Sequence, residues 1–346
     1  MSTKENAQPH NNAELSADSN SANRTSYKPL TSRESHSLRA LPQFDGWIAE
    51  QFAKAIEAAG LVAPDTIHAD GTLHRFSATG RKSDKAGWYV LHCDGLPAGV
   101  FGHWRTGLVE TWCSKPQQKL SAQERAELRH HVQHAKEQRN RQQVLRQQEA
   151  QQKAIARWEA AKPTHWHTYT IAKGIQTTGL RAEPDRTLLV PMRDVFGVLH
   201  SLQTITDDGS KRFLAGGRVH GCFHSIGLPG RALVVCEGMA TAQSIHACTG
   251  LAVAAAFSAG NLAPVARELR QHYPHKQLLI AADDDHATEG NPGLTAARAA
   301  ALAVGGDVVV PHFPSERPSK ATDFNDLFSL AGADAVRACF AEVLES

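Results

Sequence analysis

Six cysteines, at positions 93, 113, 222, 236, 248 and 339, are scattered along 346 residues with no CxxC pair among them. That spacing argues against both a zinc ribbon and a disulfide framework, and it suits a reducing compartment. No apolar run reaches membrane-spanning length, and the opening MSTKENAQPHNN lacks the apolar core of a secretory signal. A cytoplasmic chain without membrane contact is therefore expected. No GxxxxGKS or GxxxxGKT loop occurs, so no ATP-driven motor is recognisable. There are only four tyrosines (27, 89, 169 and 273), and none sits where a separate strand-passage domain would need a nucleophile. No internal repeat is visible.

What is present is a chain able to build a core, with 41% hydrophobic and 21% charged residues. Its net charge of +2 does not mark it as a nucleic-acid binder, but the charge is unevenly spread. Residues 1–40 are rich in Ser, Asn, Thr and Glu and read as a disordered tail. Residues 41–114 read as a small α+β module. GWIAEQFAKAIEAAG (Gly46 to Gly60) has helical spacing and a glycine stop, and short β-rich runs between Gly, Asp and Pro turns follow it. From 115 to 162 there is no glycine, and Pro116 is the only proline. Eleven Lys or Arg stand against five Glu, a local charge of +6. This is expected to be a basic helical linker, solvated or lying along phosphates.

Residues 163–230 form a β-rich basic module, with Thr187 to Arg218 reading as strand, turn, strand, turn, strand. From 231 to 346 strands at 232–236, 251–256, 277–282 and 307–310 alternate with helices at about 239–248, 262–271, 292–304 and 332–344. That spacing predicts an α/β fold, a doubly wound, mainly parallel sheet with helices on both faces. In such a sheet ligands bind at the carboxyl edge. Two strand ends there are acidic: Glu237 follows LVVC, and Asp283, Asp284 and Asp285 follow QLLIAA.

Glu237 alone would be an ordinary helix-start acid, and the aspartates alone a solvated turn. Together they crowd carboxylates at one edge, which a cation would relieve; hard oxygen ligands suit Mg²⁺ or Mn²⁺. Asp283 and Asp285 point the same way in an extended strand end, and Asp284 points away. Further along, KATDFNDLF supplies Lys320, Asp323 and Asp326. Asp323 is placed to cap a helix, or the acids are outer ligands or nucleotide contacts.

A glutamate after one strand and Asp-x-Asp after a later one resemble the TOPRIM domain of bacterial-type primases, topoisomerases and some nucleases. EGMATA (Glu237 to Ala242) is similar to the EGYATA motif of primases carried by conjugative plasmids and satellite phages, with Met239 in place of the tyrosine. GNPGLTAA, DFNDL, GSKRFLAGGRVHGCFHSIG and WHTYTIAKGI extend that resemblance over about residues 163–340. It implies a DNA primase without the helicase domain: a metal-dependent nucleotidyltransferase making short RNA primers on a single-stranded DNA template from nucleoside triphosphates. A separate replicative helicase is the partner this leaves open.

On that resemblance Asp283 and Asp285 bind the metal, and Glu237 is either a further ligand or the general acid/base. Lys211, Arg212 and Arg218, around the Gly216-Gly217 turn, are expected at primer and triphosphate, with Lys173 and Lys320 behind them. In the N-terminal module Arg75, Lys82, Trp88 and Arg105 suit single-stranded nucleic acid. For at least two of Trp88, Trp104 and Trp112 a small core is the preferred reading. A zinc site from His92, Cys93, His103 and Cys113 has no paired knuckle, so no zinc is expected. The competing functions are a TOPRIM nuclease on phosphodiesters and an inactive single-stranded-DNA-binding accessory protein.

Overall fold

The computed structural model describes residues 42–81 and 84–344, so the expected tail at 1–40 and Lys82 lie outside the described residues. The chain begins with α1 (Pro42–Ala58), then β1 (His74–Phe76), β2 (Gly87–His92), β3 (Ala98–His103) and β4 (Val109–Cys113), an antiparallel sheet in sequential order. Ile48, Phe52 and Ile56 of α1, at helical spacing, bury against Phe76, Tyr89, Leu91 and Phe101.

The Gly-free basic segment forms one helix, α2 (Ala122–Ala160), 39 residues long and about 58 Å at 1.5 Å per residue. It opens with a full capping box between Ser121 and Glu124. It is not simply a solvated spacer. Val132 and Ala135 near its start pack on Trp88, Val90 and Val100 of the first sheet. Ala154, Ile155 and Trp158 near its end pack on Leu189, Leu199 and Leu202. Sparse apolar residues, widely spaced along a polar helix, are enough to seat its two ends while the middle stays wet.

The second sheet is an antiparallel meander of β5 (Lys162–Pro163), β6 (Arg181–Ala182), β7 (Leu188–Arg193), β8 (Leu199–Ile205) and β9 (Lys211–Phe213), with α3 (Thr168–Ala172) between β5 and β6. Its two expected turns fall at Asp194–Gly197 and at Asp207-Asp208-Gly209, where the Asp194 and Asp208 side chains accept from backbone N–H groups of the turns they begin or occupy.

The third sheet contains β10 (His224–Ile226), β11 (Ala232–Cys236), β12 (Ala252–Ala255), β13 (Gln277–Ala281) and β14 (Asp307–Val309), in the order β10-β12-β11-β13-β14. All pairs are parallel except the β10 edge. Its helices are α4 (Met239–Thr249), α5 (Ala259–His272), α6 (Pro292–Val304) and α7 (Phe324–Leu344), the last kinked at Gly332. The strands alternate cleanly. Val234, Cys236, Leu279 and Ala281 face α4 and α7, and Leu233, Val235, Leu278 and Ile280 face α5 and α6. The first of these cores continues into Leu188, Val190 and Met192 of the second sheet, which binds the two sheets into one packed unit.

Candidate active site

β11, β12 and β13 are parallel, so their carboxyl ends lie on one edge, and the acids that follow them are brought there. Glu237 leaves β11, and its backbone carbonyl accepts from Phe257 N at 2.7 Å. Phe257 follows β12 with φ +71°, a left-handed conformation rare for a bulky side chain. That turn leads into α5, whose first N–H, at Ala259, helps to lower the Glu237 carboxyl.

After β13 the loop is held residue by residue. Asp284 N donates to Thr322 O at 2.8 Å, and Asp285 N donates to Asn291 Oδ1 at 2.9 Å. Asp285 Oδ2 accepts from Gly293 N at 2.9 Å. Gly293 is required there, because a Cβ would lie 2.6 Å from the Asp283 carbonyl oxygen. Asp284 turns away from its neighbours to bind Arg317 Nη1 and Asn291 Nδ2, both at 2.7 Å. Burial opposes its ionisation, but Arg317 and Asn291 outweigh that and hold its carboxyl below the usual range.

Asp323 caps α7 by accepting from Asp326 N at 2.9 Å, and its other oxygen accepts from the Thr241 hydroxyl at 3.0 Å. The expected cap is formed, and the second oxygen is held by α4. Thr241 is the threonine of EGMATA, so α4 positions an acid that lies 82 residues later.

The electrostatics show how closely these groups share one space. Burial, then the charges of Asp323, Glu237, Asp285 and Asp326, push the Asp283 carboxyl up to about 8. Burial and Asp285 raise Glu237, while Lys211 pulls it back down. Burial and Asp326 raise Asp323. Asp283 Oδ1 is buried with no hydrogen-bond partner, a costly arrangement for a carboxylate oxygen. Among the described residues no three of these acids have ligand atoms all within 4.8 Å of one another. Like charges held at one edge spread apart, and a divalent cation is what would draw them in. The donor set, hard oxygens with one unsatisfied and buried, fits such an ion.

Residues 232–334 match the Toprim domain family. The chain carries a Toprim domain. In an alignment 284 residues long that covers 76% of this chain, it is 36% identical to a DNA primase TraC of Escherichia coli, and a second TraC from that organism is 37% identical in an alignment of 286 residues. It spans about a quarter of the length of the first of these relatives and a fifth of the second (26% and 20%). The primase fragment of the bacteriophage T7 primase-helicase protein superposes over 54% of this chain and 74% of its own, with a TM-score of 0.38 and 18% identity.

Around the Toprim acids the basic residues divide. Lys211 stands with its Nζ 5.1 Å from the centre of the Tyr169 ring and acts on Glu237. Lys173 Nζ lies 3.8 Å from Asp326 Oδ1, and its carbonyl accepts from Asn325 at 2.8 Å, which locks α3 to α7. Arg212 does not join them. Adjacent strand residues point oppositely, so Arg212 lines a separate cleft with Arg157, Asp185 and Asp208. Arg218 is half-buried and donates to the His220 carbonyl, and Lys320 is exposed on the loop ahead of Asp323. Met239 is buried in the core, so this position offers no ring to the site.

In the N-terminal sheet Trp88 is 2% exposed, and Arg139 of α2 covers its ring at 5.5 Å. It is a core residue and is unavailable for stacking on a base. Arg75 and Arg105 instead share a groove of about 380 Å³ with Trp104, Arg146 and Lys153, closed at one side by Gly216. His103 of the cysteine–histidine set is engaged by Thr106 at 3.1 Å. Sequence reasoning missed Thr241, Asn291, Arg317 and Tyr169. For the first two a signal existed in ATA and GNPG, but only the folded loops show what they hold.

Proposed function

We propose that this chain is a DNA primase that joins nucleoside triphosphates into short RNA primers on single-stranded DNA, for a plasmid, a phage or an integrated element. The observation that supports this most directly is the Toprim acid edge: buried, like-charged carboxylates facing Lys211 and Lys173. In the reaction the 3′ hydroxyl of one nucleotide attacks the α-phosphorus of the next, and pyrophosphate leaves. A bound Mg²⁺ or Mn²⁺, held by Asp283 and Asp285 with Glu237 beside them, would lower the hydroxyl's pKa and offset charge at the phosphorus.

The chain's own groups position and neutralise. Lys211 and Lys173 lie where a triphosphate's negative charge would approach the acids. Glu237, raised by burial and by Asp285, is suited to take the hydroxyl proton nearer to neutrality than an exposed glutamate. Thr241 and Asn291 fix the acids, so that little is reorganised as the reaction proceeds. The groove of Arg75, Trp104, Arg105, Arg146 and Lys153 offers stacking and phosphate contacts for the template strand.

The test is a priming assay with single-stranded circular DNA, labelled nucleoside triphosphates and Mg²⁺ or Mn²⁺, run beside Asp283→Ala/Asp285→Ala. Short labelled products from the parent alone are the expected result. Metal-dependent cutting without products would replace the reading with a nuclease, and binding without either would leave an accessory protein.

A further inference from the structure

We propose that the N-terminal sheet and the start of α2 are clipped together by a zinc-class cation held by His92, Asp94 and His131. One ligand atom from each of the three lies within 4.8 Å of the others, in a part of the molecule remote in sequence from the acid edge. His92 ends β2, Asp94 stands in the turn leading to β3, and His131 is on the inner face of α2. Loop and helix are joined at a point where the chain has travelled nearly forty residues between ligands.

A second, independent feature points to a ligand. His92 is 9% exposed and His131 6%, yet His92 Nε2 and His131 Nδ1 are buried with no hydrogen-bond partner. Imidazole nitrogens left unpaired in an interior are expensive, and coordination is one way to satisfy them.

Two imidazoles and one carboxylate match zinc and its neighbours better than Mg²⁺, which prefers oxygen alone. The expectation of no zinc followed from the cysteines, and no cysteine takes part in this set. The rings are stacked, 4.1 Å apart and 8° from parallel, so their lone pairs do not yet converge. Binding requires His131 or His92 to turn about its Cβ–Cγ bond, a soft torsion. Gly71 limits the choice: a Cβ there would lie 2.7 Å from His92 Cε1, so the loop leans directly on that ring and leaves His131 as the freer partner.

The experiment uses the full chain with Asp283→Ala/Asp285→Ala, so that the acid edge takes no part. After chelator treatment it is titrated with Co²⁺, read by visible absorption, and with Zn²⁺ in competition. One equivalent per chain with a nitrogen-ligand spectrum is expected. Adding His131→Ala should abolish it, or weaken it by more than about 100-fold, beyond the range of outer-shell substitutions. Asp94→Asn, at a side chain 84% exposed, keeps the fold and should weaken binding by about tenfold or more. No Co²⁺ binding in the double variant, or full binding after Asp94→Asn together with His131→Ala, would overturn the proposal.

Discussion

Asp283→Asn provides the strictest test of the strained edge, because the parent should be the less stable protein. The folded chain holds this carboxyl near 8 against 3.8 in an exposed chain, chiefly by burial and then by Asp323, Glu237, Asp285 and Asp326. A raised folded pKa means the native state keeps a proton that the unfolded state has lost, so stability falls as pH rises from about 4 to 8. At 1.36 kcal/mol per pKa unit, full ionisation opposes folding by on the order of 5 kcal/mol, and loop relaxation with water entry lowers that to a few. Asparagine carries no charge and removes that repulsion. In metal-free buffer urea unfolding should therefore show the variant level with the parent near pH 4 and about 2–3 kcal/mol more stable at pH 8.5. Added Mg²⁺ should stabilise the parent and act much less on the variant, which should also make no primers. A variant equally or less stable than the parent at every pH would refute the account of Asp283 as a carboxylate held against its preference.

Gly293→Ala forces a methyl to within 2.6 Å of the Asp283 carbonyl oxygen and 2.8 Å of Asp285 Oδ2; we expect a loss of about 1–3 kcal/mol in thermal unfolding and a disabled site. Lys211→Ala touches an exposed side chain, so stability should be unchanged while KM for the nucleotide rises roughly tenfold or more, as for a lost charge-assisted contact of about 1.5–3 kcal/mol. Thr241→Val removes the hydroxyl donor to Asp323. It should cost about 1 kcal/mol of stability, and because the ionised form loses its donor, the acid limb of the pH–rate profile should move to higher pH.

The parallel sheet was legible because β11 to β14 alternate with helices whose glycine and proline boundaries are local features. The acid edge followed from it, since parallel strands deliver their ends to one side whatever the helices do. Period-2 logic reached further than it was applied: Lys211 and Arg212 are neighbours in β9, and only one of them could face Glu237. Trp88 misled because an aromatic among basic residues reads the same on a surface as in a core. What buries it is α2, whose Arg139 and Ala135 arrive from a segment that looks uniformly polar.

The features that escaped the sequence have a common cause. Thr241 is fixed on Asp323 across 82 residues, Asn325 on Lys173 across 152, and Arg317 on Asp284 across 33. Each is a polar side chain satisfying a group that is nearly buried, and such pairing obeys no local period. The acids at the strand ends carry the charge, but their reach and protonation are set by these distant partners. Substitutions at Thr241 or Asn325 should therefore alter activity through the pH dependence and placement of Asp323 and Lys173. Substitutions of equal size on the exposed face of α2 should leave both unchanged.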